Sequence, residues 1–257
     1  MTANAKPMII GHDNRFLDAA PSATDTAGGY DVANISDLRP YTWWKAASAG
    51  TKYLTVNCGE NKSADSLAVI GHNLYTADAG VSVESSANGS DWTERLAAFT
   101  PASDRAFAKI FTTASAQYWR IKIVTAALAA NIAVAIVGER MDFERYPAGP
   151  FDPARETLNA VSARSKHGHL IGAALANIAV DINAEFKMLT PAWIESDFRA
   201  VWDDHISQIK PFFFCWDLTN HATDVFFVCV PAEFTLSMPF DPYRRSLSLN
   251  MEGIKEV

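Results

Sequence analysis

The residues of this chain whose types and spacing come nearest to metal or acid–base chemistry are its histidine clusters. His167 and His169 are separated by one glycine, and such a pair binds Zn²⁺ only when further ligands are supplied. No Cys, Asp or Glu near them has a recognisable ligand spacing, which favours a solvated loop. Asp203 and Asp204 adjoin His205, but sequence neighbours point in different directions on a helix, which favours a polar helix face. The common hydrolase, zinc-protease, phosphate-loop and dinucleotide motifs do not occur. The sequence therefore predicts no catalytic residues, no metal site and no cofactor.

The three cysteines, Cys58, Cys215 and Cys229, are an odd number and contain no C-x-x-C pair. A secreted disulfide framework fits poorly, so buried free thiols and folding in a reducing cytoplasm are expected. Cys215 and Cys229 flank a predicted hairpin and could approach each other. Residues 1–16 contain no apolar segment of the kind that a secretory signal needs.

Four side chains are candidates for ligand binding: Trp43, Trp44, His72 and Trp92. An exposed aromatic pair such as Trp43 and Trp44 can stack on a sugar or anchor a partner protein. The alternative is that one ring belongs to the core and the other covers a domain junction. His72 follows Gly71 in a turn, where it is expected to hydrogen-bond the turn rather than act as a base.

Charge and hydropathy exclude two classes of partner. The formal net charge is −7, and Arg244 and Arg245 are the only adjacent basic pair. The sequence therefore has no cluster of Lys and Arg that could neutralise the phosphates of a nucleic acid. The longest apolar stretch, Ile121–Val137, is interrupted by Lys122 and is too short for a bilayer. We predict neither nucleic-acid binding nor a membrane span.

The elements that must position these residues are mainly β-strands. Short alternating or β-branched runs separated by Gly, Asn, Asp and Ser predict an all-β sandwich before residue 190. The first 50 residues are expected to be irregular. The predicted strands are 52–57, 66–70, 81–85, 106–111, 118–123 and 132–139.

A proline-rich segment divides the chain. Three prolines between Arg145 and Pro153 predict a linker, so we expect domains at 1–144 and 156–257 joined by 145–155. Thr190 and Pro191 then begin an amphipathic helix at about 191–207. The expected flanking strands lie at 170–185 (one or two strands), 212–216, 225–230, 233–238 and 245–252.

Three ordered motifs in the first domain resemble discoidin-type, galactose-binding-like domains over roughly residues 30–143. They are D-S-L-A-V-I-G-H-N-L at 65–74, V-S-V-E-S-S-A-N-G-S-D-W-T-E at 81–94 and Q-Y-W-R-I-K-I-V at 117–124. The resemblance implies a jelly-roll β-sandwich that binds glycan, lipid or protein through loops at one end. A scaffold that has kept the fold and lost the ligand is the other reading.

A second resemblance covers about residues 155–255. The order of the amphipathic helix, K-P-F-F-F-C-W at 210–216 and a last strand ending N-M-E-G-I at 250–254 is similar to tail proteins of long-tailed bacteriophages. It implies a β-sandwich or split barrel with one helix that builds rings by edge pairing, and a hexamer is one such ring. The contact residues would be Phe212, Phe213, Phe214, Leu247 and Leu249.

Together these features predict a non-enzymatic structural component of a phage tail (distal tail, tail-tip or minor tail protein), located in the virion. Its partners would be other copies of itself, tail-tube and tail-tip hub proteins and, in an accessory role, host-surface glycans. The chain would fold in the cytoplasm of the host bacterium. The usual distal tail protein has its ring-forming domain first, and here that order is reversed. The alternative is a carbohydrate-binding adhesin module, and a third reading is an esterase- or glycosidase-like enzyme on a β scaffold.

Overall fold

A computed structural model describes residues 6–153, 155–236 and 243–255, and within them the chain is mainly β. The strands are β1 (Met8–Ile10), β2 (Ser22–Ala23), β3 (Trp44–Lys45), β4 (Gly50–His72), β5 (Gly80–Ser86), β6 (Thr93–Phe99), β7 (Phe107–Thr125), β8 (Asn131–Gly138), β9 (Arg140–Asp142), β10 (Arg155–Arg164), β11 (Leu170–Leu189), β12 (Phe212–Cys215), β13 (Val225–Cys229) and β14 (Arg245–Ile254). The α-helices are α1 (Arg15–Asp18), α2 (Pro191–Trp193) and α3 (Arg199–Asp204); Val32–Ser36 and Ile206–Gln208 are 3₁₀ turns, and Ile194–Phe198 is a π turn.

The chain forms two compact units. The first contains the chain up to Asp142 together with Phe212–Val225, and the second contains Phe143–Pro211 and Phe226–Val257. The sequence predicted one boundary near residue 144 but did not predict the return of Phe212–Val225 to the first unit. That return follows from antiparallel pairing of β12 with β1, in which Ile9 lies opposite Phe214.

The first unit is a jelly-roll β-sandwich, as predicted. Its main sheet has the order β3-β8-β4-β7-β5-β6, with β2 beside β4. The second half of β4 pairs with β8, and the later half of β7 pairs with β5. Side chains from both halves of β4, including Leu54 and Leu67, lie in one core, so the long strands fold over to form two layers.

Alternation along β7 separates the core from the outer face. Trp119, Ile121 and Ile123 are fully buried, while Arg120 and Lys122 point to the opposite side. The sequence predicted this alternation but left open which of the two sets of side chains faces the core. Segments 106–111 and 118–123 were predicted as separate strands but form this one continuous strand, and 52–57 and 66–70 likewise form β4. Register shifts within the pair let both strands bend without ending.

The second unit is an antiparallel sheet that buries one face against helical segments. Strand β11 pairs with β10 on one side and β14 on the other, and β14 also pairs with β13. Thr190 caps α2 as predicted, because its Oγ1 accepts from Trp193 N at 3.3 Å. Phe186 stacks on Phe143 with centroids 4.0 Å apart, and Phe198 is fully buried. The predicted class, mainly β with one helical segment, is confirmed.

Two strand predictions differ from the structure. The polar segment 157–169, for which no strand was predicted, contains most of β10 and the turn after it. Both faces of this strand are exposed, so its sequence lacks the usual alternation of apolar and polar residues. For that reason its polar composition did not indicate a strand. The strand predicted at 233–238 is not formed at 233–236, and its last residues lie outside the described ranges.

Candidate functional site

The four predicted ligand-binding side chains do not form one surface. Trp44 is fully buried, and its Nε1 donates to Asp25 O and Thr26 Oγ1, both at 3.2 Å. His72 is buried as well, whereas Trp43 is 39% exposed and Trp92 is half-buried. Trp44 therefore belongs to the core, which was one of the two readings of the Trp43–Trp44 pair.

A groove of about 510 Å³ in the first unit is the best candidate for a ligand site. It lies between the end of β6 and the start of β7, and Ala222 and Thr223 complete one wall. The other lining residues are Phe99, Thr100, Pro101, Ala102, Ser103, Arg105, Ala106, Phe107, Ala108 and Lys109. This volume lies within the range of ordinary small-ligand sites.

The groove combines an aromatic floor with positive charge. Phe99 and Phe107 meet edge to face with centroids 5.5 Å apart, and Lys109 Nζ lies 5.1 Å from the Phe99 centroid. Arg105 is exposed and Lys109 is half-exposed, so both cations can reach a ligand. No carboxylate occurs among the described residues that line the groove. Such a site suits a ligand with an apolar face and a negative group.

His72 positions this groove from beneath. Its Nδ1 accepts from Leu74 N at 3.2 Å, so the proton is on Nε2, which donates to Arg105 O at 3.0 Å. Its ring also meets Phe107 edge to face at 5.1 Å. Because both nitrogens are used, His72 holds the turn, as expected, and is available neither as a base nor as a direct ligand contact.

Asp104 anchors the other side of the same loop. Its carboxylate accepts from Tyr75 N at 2.8 Å, Thr76 N at 3.1 Å and Thr76 Oγ1 at 2.5 Å. These bonds tie residues 100–106 to the turn after β4. The carboxylate is thereby used within the loop, which leaves the charge of the groove to Arg105 and Lys109.

We expect the buried imidazole of His72 to make the first unit acid-sensitive. Burial lowers its pKa to about 4 from 6.5, and the bond to Arg105 O and the Asp104 carboxylate offset this only in part. Between pH 6.5 and 4 the unfolded chain binds a proton that the folded chain does not. This contribution to stability is therefore complete above pH 6.5, falls as the pH decreases, and totals about 3 kcal/mol at most. Urea unfolding at pH 7 and pH 4.5 measures the loss.

The matched comparison is His72→Gln with His167→Gln, because His167 lies exposed in the second unit. His72→Gln is expected to lower stability at pH 7 and to show a smaller further loss at pH 4.5. His167→Gln should follow the wild-type protein at both pH values. An equal acid loss in wild type and His72→Gln would show that another group causes it.

Trp92 belongs to a charged cluster on the outer face of the sandwich. The Arg120 guanidinium lies 3.8 Å from the Trp92 ring centroid and 4.0 Å from that of Tyr53. Arg120 Nε donates to Glu84 Oε2 at 2.6 Å, and Lys122 Nζ lies 3.5 Å from Glu84 Oε1. The polar groups of this cluster largely satisfy one another, which favours a stabilising role over ligand binding.

The five predicted interface residues lie inside the protein. Phe212, Phe213 and Phe214 in β12, and Leu247 and Leu249 in β14, are fully buried. Strand β14 pairs with β11 along most of its length and, among the described pairs, with β13 only at Glu252 and Gly253, so the edge predicted for it is covered at that end. Their apolar character fits a core equally well, and the sequence alone could not separate the two roles. A contact between copies would need other residues.

Metal-binding geometry is not found among the described residues: no group of three or more His, Cys, Asp or Glu is close enough to hold an ion. His167 and His169 lie at the exposed turn between β10 and β11, where a solvated loop was expected.

All three cysteines are free, and only Cys215 is fully buried. Burial raises the pKa of Cys58 to about 11, so its thiol stays protonated. In the parts of the chain that the structure describes, no helix is both long enough and apolar enough to cross a bilayer.

The sequence analysis missed the groove residues. Arg105, Phe107 and Lys109 are spaced two residues apart, with Arg105 in the loop before β7 and Phe107 and Lys109 on one side of that strand. That pattern was a usable signal, but this segment was treated only as a strand. Phe99 ends the preceding strand β6, and Thr223 comes from a distant part of the chain that no local pattern connects to this segment.

No protein-family model matches this chain, and no curated protein matches it. Several solved carbohydrate-binding modules are similar to about half of it. Chitosan-binding module 1 of a chitosanase/glucanase from Paenibacillus sp. IK-5 has 18% identity and a TM-score of 0.42, covering 48% of this chain and 97% of that one. CBM32 of AlyQ, in complex with 4,5-unsaturated mannuronic acid, has 21% identity and a TM-score of 0.39, covering 49% and 95%. CpGH89CBM32-5 from Clostridium perfringens, in complex with GalNAc-β-1,3-galactose, has 11% identity and a TM-score of 0.43, covering 49% and 99%. Likeness at this level does not identify a ligand for this chain.

Proposed function

We propose that the first unit is a non-catalytic module that binds an anionic carbohydrate in the Phe99–Lys109 groove. The observation that carries the proposal is the pairing of a phenylalanine floor with two cations and no lining carboxylate among the described residues. A sugar ring offers a C–H face that packs on Phe99, which is half-buried, while Phe107 supports Phe99 from the core. A ring carboxylate or sulfate then accepts from Arg105 or Lys109 in a charge-assisted hydrogen bond.

The charge of the whole protein sharpens this proposal. The chain carries a net charge of −7, which repels anions from most of its surface. Two cations beside an apolar floor therefore make the groove a local exception. Binding is expected to weaken as salt is added, because the contacts with the ligand are partly exposed and are screened.

The test is calorimetric titration of the full chain with acidic and neutral oligosaccharides of equal length. We expect a tetra-uronate to bind and a neutral gluco-tetraose to bind at least tenfold more weakly. Lys109→Ala and Phe99→Ala should each reduce uronate binding roughly tenfold, the change that one charge-assisted hydrogen bond or one buried ring produces.

Lys45→Ala is the matched control for Lys109→Ala. Lys45 is also a lysine of the first unit next to an aromatic ring, since its Nζ lies 5.7 Å from the Tyr30 centroid, but it lies outside the groove. Uronate binding should be unchanged in this variant. Equal affinity for acidic and neutral sugars, or no effect of Lys109→Ala, would count against the proposal.

A second candidate function is that of a subunit in a larger assembly, and the sequence resemblance implies a bacteriophage tail in the virion. It is favoured by exposed leucines on the β10–β11 hairpin, which a protein acting alone would ordinarily cover. Peptide mass spectrometry of density-purified phage particles tests it. Recovery of the chain with tail-tube protein would support this function, and recovery only from the soluble lysate would count against it.

A further inference from the structure

The β10–β11 hairpin extends away from the residues that cover the rest of its sheet. We call residues 157–178 the arm. Every residue of β10 is exposed, and so are the first seven residues of β11, from Leu170 to Ala176. An isolated two-stranded hairpin is only marginally stable in water. The arm therefore lacks the packing that stabilises the rest of the sheet.

One face of the arm is apolar. The strand register places Leu158 opposite Ile178, Ala160 opposite Leu175 and Arg164 opposite Leu170, all on the same face. All three leucines are exposed: Leu158 by 68%, Leu175 by 53% and Leu170 by 58%. We call this side the leucine face. Val161 is 76% exposed on the opposite face, opposite Ala174.

The leucine face continues the core face of the second unit. Val180 and Ile182 follow Ile178 at alternate positions of β11 and are buried. The same side of one strand thus changes from covered to uncovered where the arm begins. An exposed apolar face that continues a buried one is typical of a contact with another molecule.

Charge along the arm differs between its two ends. Residues 157–180 contain Arg164 and Lys166 but no Asp or Glu, in a chain whose net charge is −7. The base of the arm carries Glu156 on the leucine face, where it pairs with Lys255 at 2.5 Å. On the other face Asp181 lies directly opposite Arg155 of β10 and Glu252 of β14. Three carboxylates and two cations therefore lie at the base, and the one negative charge in excess favours a further cation.

We propose that two copies of this chain associate by packing the leucine faces of their arms together, antiparallel, around a two-fold axis. In this arrangement the basic tip of each arm lies at the acidic base of the other. Arg164 of one copy then meets Glu156 of its partner, and the reverse contact forms as well, because a two-fold contact is self-complementary. The six leucines cover one another along the arms.

The size of this contact sets the expected affinity. The eight-residue separation of Glu156 and Arg164 spans about 27 Å of strand, on a hairpin about 10 Å wide. This area is well below the ~800 Å² per partner of a standard stable interface. We therefore expect a dimer that dissociates at concentrations on the order of micromolar, not a permanent one.

The test is sedimentation equilibrium of the full chain over a wide concentration range. Wild type is expected to shift reversibly between monomer and dimer. The double variant Leu158→Ser/Leu175→Ser should dissociate at least tenfold more readily. Val161→Ser, an exposed aliphatic residue on the other face of the same arm, is the matched control and should dimerise like wild type. Unchanged urea midpoints would show that the variants still fold.

A charge exchange tests the orientation of the two arms. Arg164→Glu and Glu156→Arg should each weaken the dimer, and the combined variant should regain most of the affinity. Glu156 also pairs with Lys255 of its own chain at 2.5 Å, so the comparison rests on recovery in the combined variant. The proposal is overturned if the chain stays monomeric at every concentration, or if Val161→Ser weakens the dimer as much as the leucine variant. Binding of monomers to anionic phospholipid vesicles, abolished by the leucine variant, would assign the arm to a lipid surface and also overturn it.

Discussion

Gly138→Ala is expected to destabilise the first unit by more than about 3 kcal/mol and to prevent folding at 37 °C. A β-carbon at this position would overlap the carbonyl oxygen of Asp13 and lie 2.7 Å from its carbonyl carbon. These are main-chain atoms, so no side-chain rotation relieves the overlap. The cost exceeds the usual 1–3 kcal/mol of an overpacked core, because a backbone segment must move.

The main chain passes so close to Gly138 because hydrogen bonds hold residues 13–14 across the end of β8. Asn14 Nδ2 donates to Ala135 O at 3.4 Å, and Val137 N donates to Asn14 Oδ1 at 3.4 Å. Ser66 Oγ donates to Gly138 O at 2.7 Å and fixes the strand from the other side. Moving residues 13–14 would break their hydrogen bonds to β8, and moving the end of β8 would also break the hydrogen bond from Ser66.

Gly80→Ala is the control for this prediction. Gly80 also lies in a strand of the first unit, and the nearest atoms to its added β-carbon are 4.0 Å away. Its unfolding free energy should change by less than about 1 kcal/mol, or increase, since alanine restricts the unfolded chain. Urea denaturation of both variants decides the matter. A Gly138→Ala protein as stable as Gly80→Ala would mean that residues 13–14 do not cross β8 closely.

The sequence predicted the fold class because local patterns determine it. Short alternating or β-branched apolar runs identified β5, β8 and the two halves of β4 and β7, and Thr190 with Pro191 marked the start of the helix. It missed β1 and β10 for two physical reasons. A three-residue strand has too few positions for a pattern, and a strand exposed on both faces has no apolar–polar alternation.

The candidate site was harder to predict than the fold. His72 was singled out by its turn, and it does lie against the groove, but as the support of Arg105 and Phe107. The groove itself joins β6, β7 and residues 222–223, which only the folded chain brings together. The same reason explains why Phe213 was predicted at an interface: its apolar side chain fits a core and a contact equally until the pairing of its strand is known.

Glu84→Ala is expected to lower the stability of the first unit by roughly 3 kcal/mol, because it leaves Arg120 without its carboxylate. The side chains of Glu84 and Arg120 are 9% and 16% exposed, and two aromatic rings cover the guanidinium. Water can therefore replace the lost contacts only in part. Glu60→Ala removes a fully exposed partner of Lys62 and should leave the urea midpoint unchanged.

The double variant Glu84→Leu/Arg120→Met removes both charges. It therefore measures what the ion pair as a whole contributes to the free energy of unfolding, apart from the loss caused by leaving one charge buried without its partner. Replacing both partners of a buried ion pair by apolar side chains is often neutral, because the desolvation of two charges is avoided. We expect its loss of stability to be smaller than that of Glu84→Ala, even though Trp92 and Tyr53 then pack on a methionine. Losses of stability in Glu84→Leu and Arg120→Met, measured singly, that add up to the loss in the double variant would show that the two side chains do not stabilise each other. A smaller loss would show instead that Glu84 is retained in this chain to neutralise the guanidinium that holds Trp92 over the sheet.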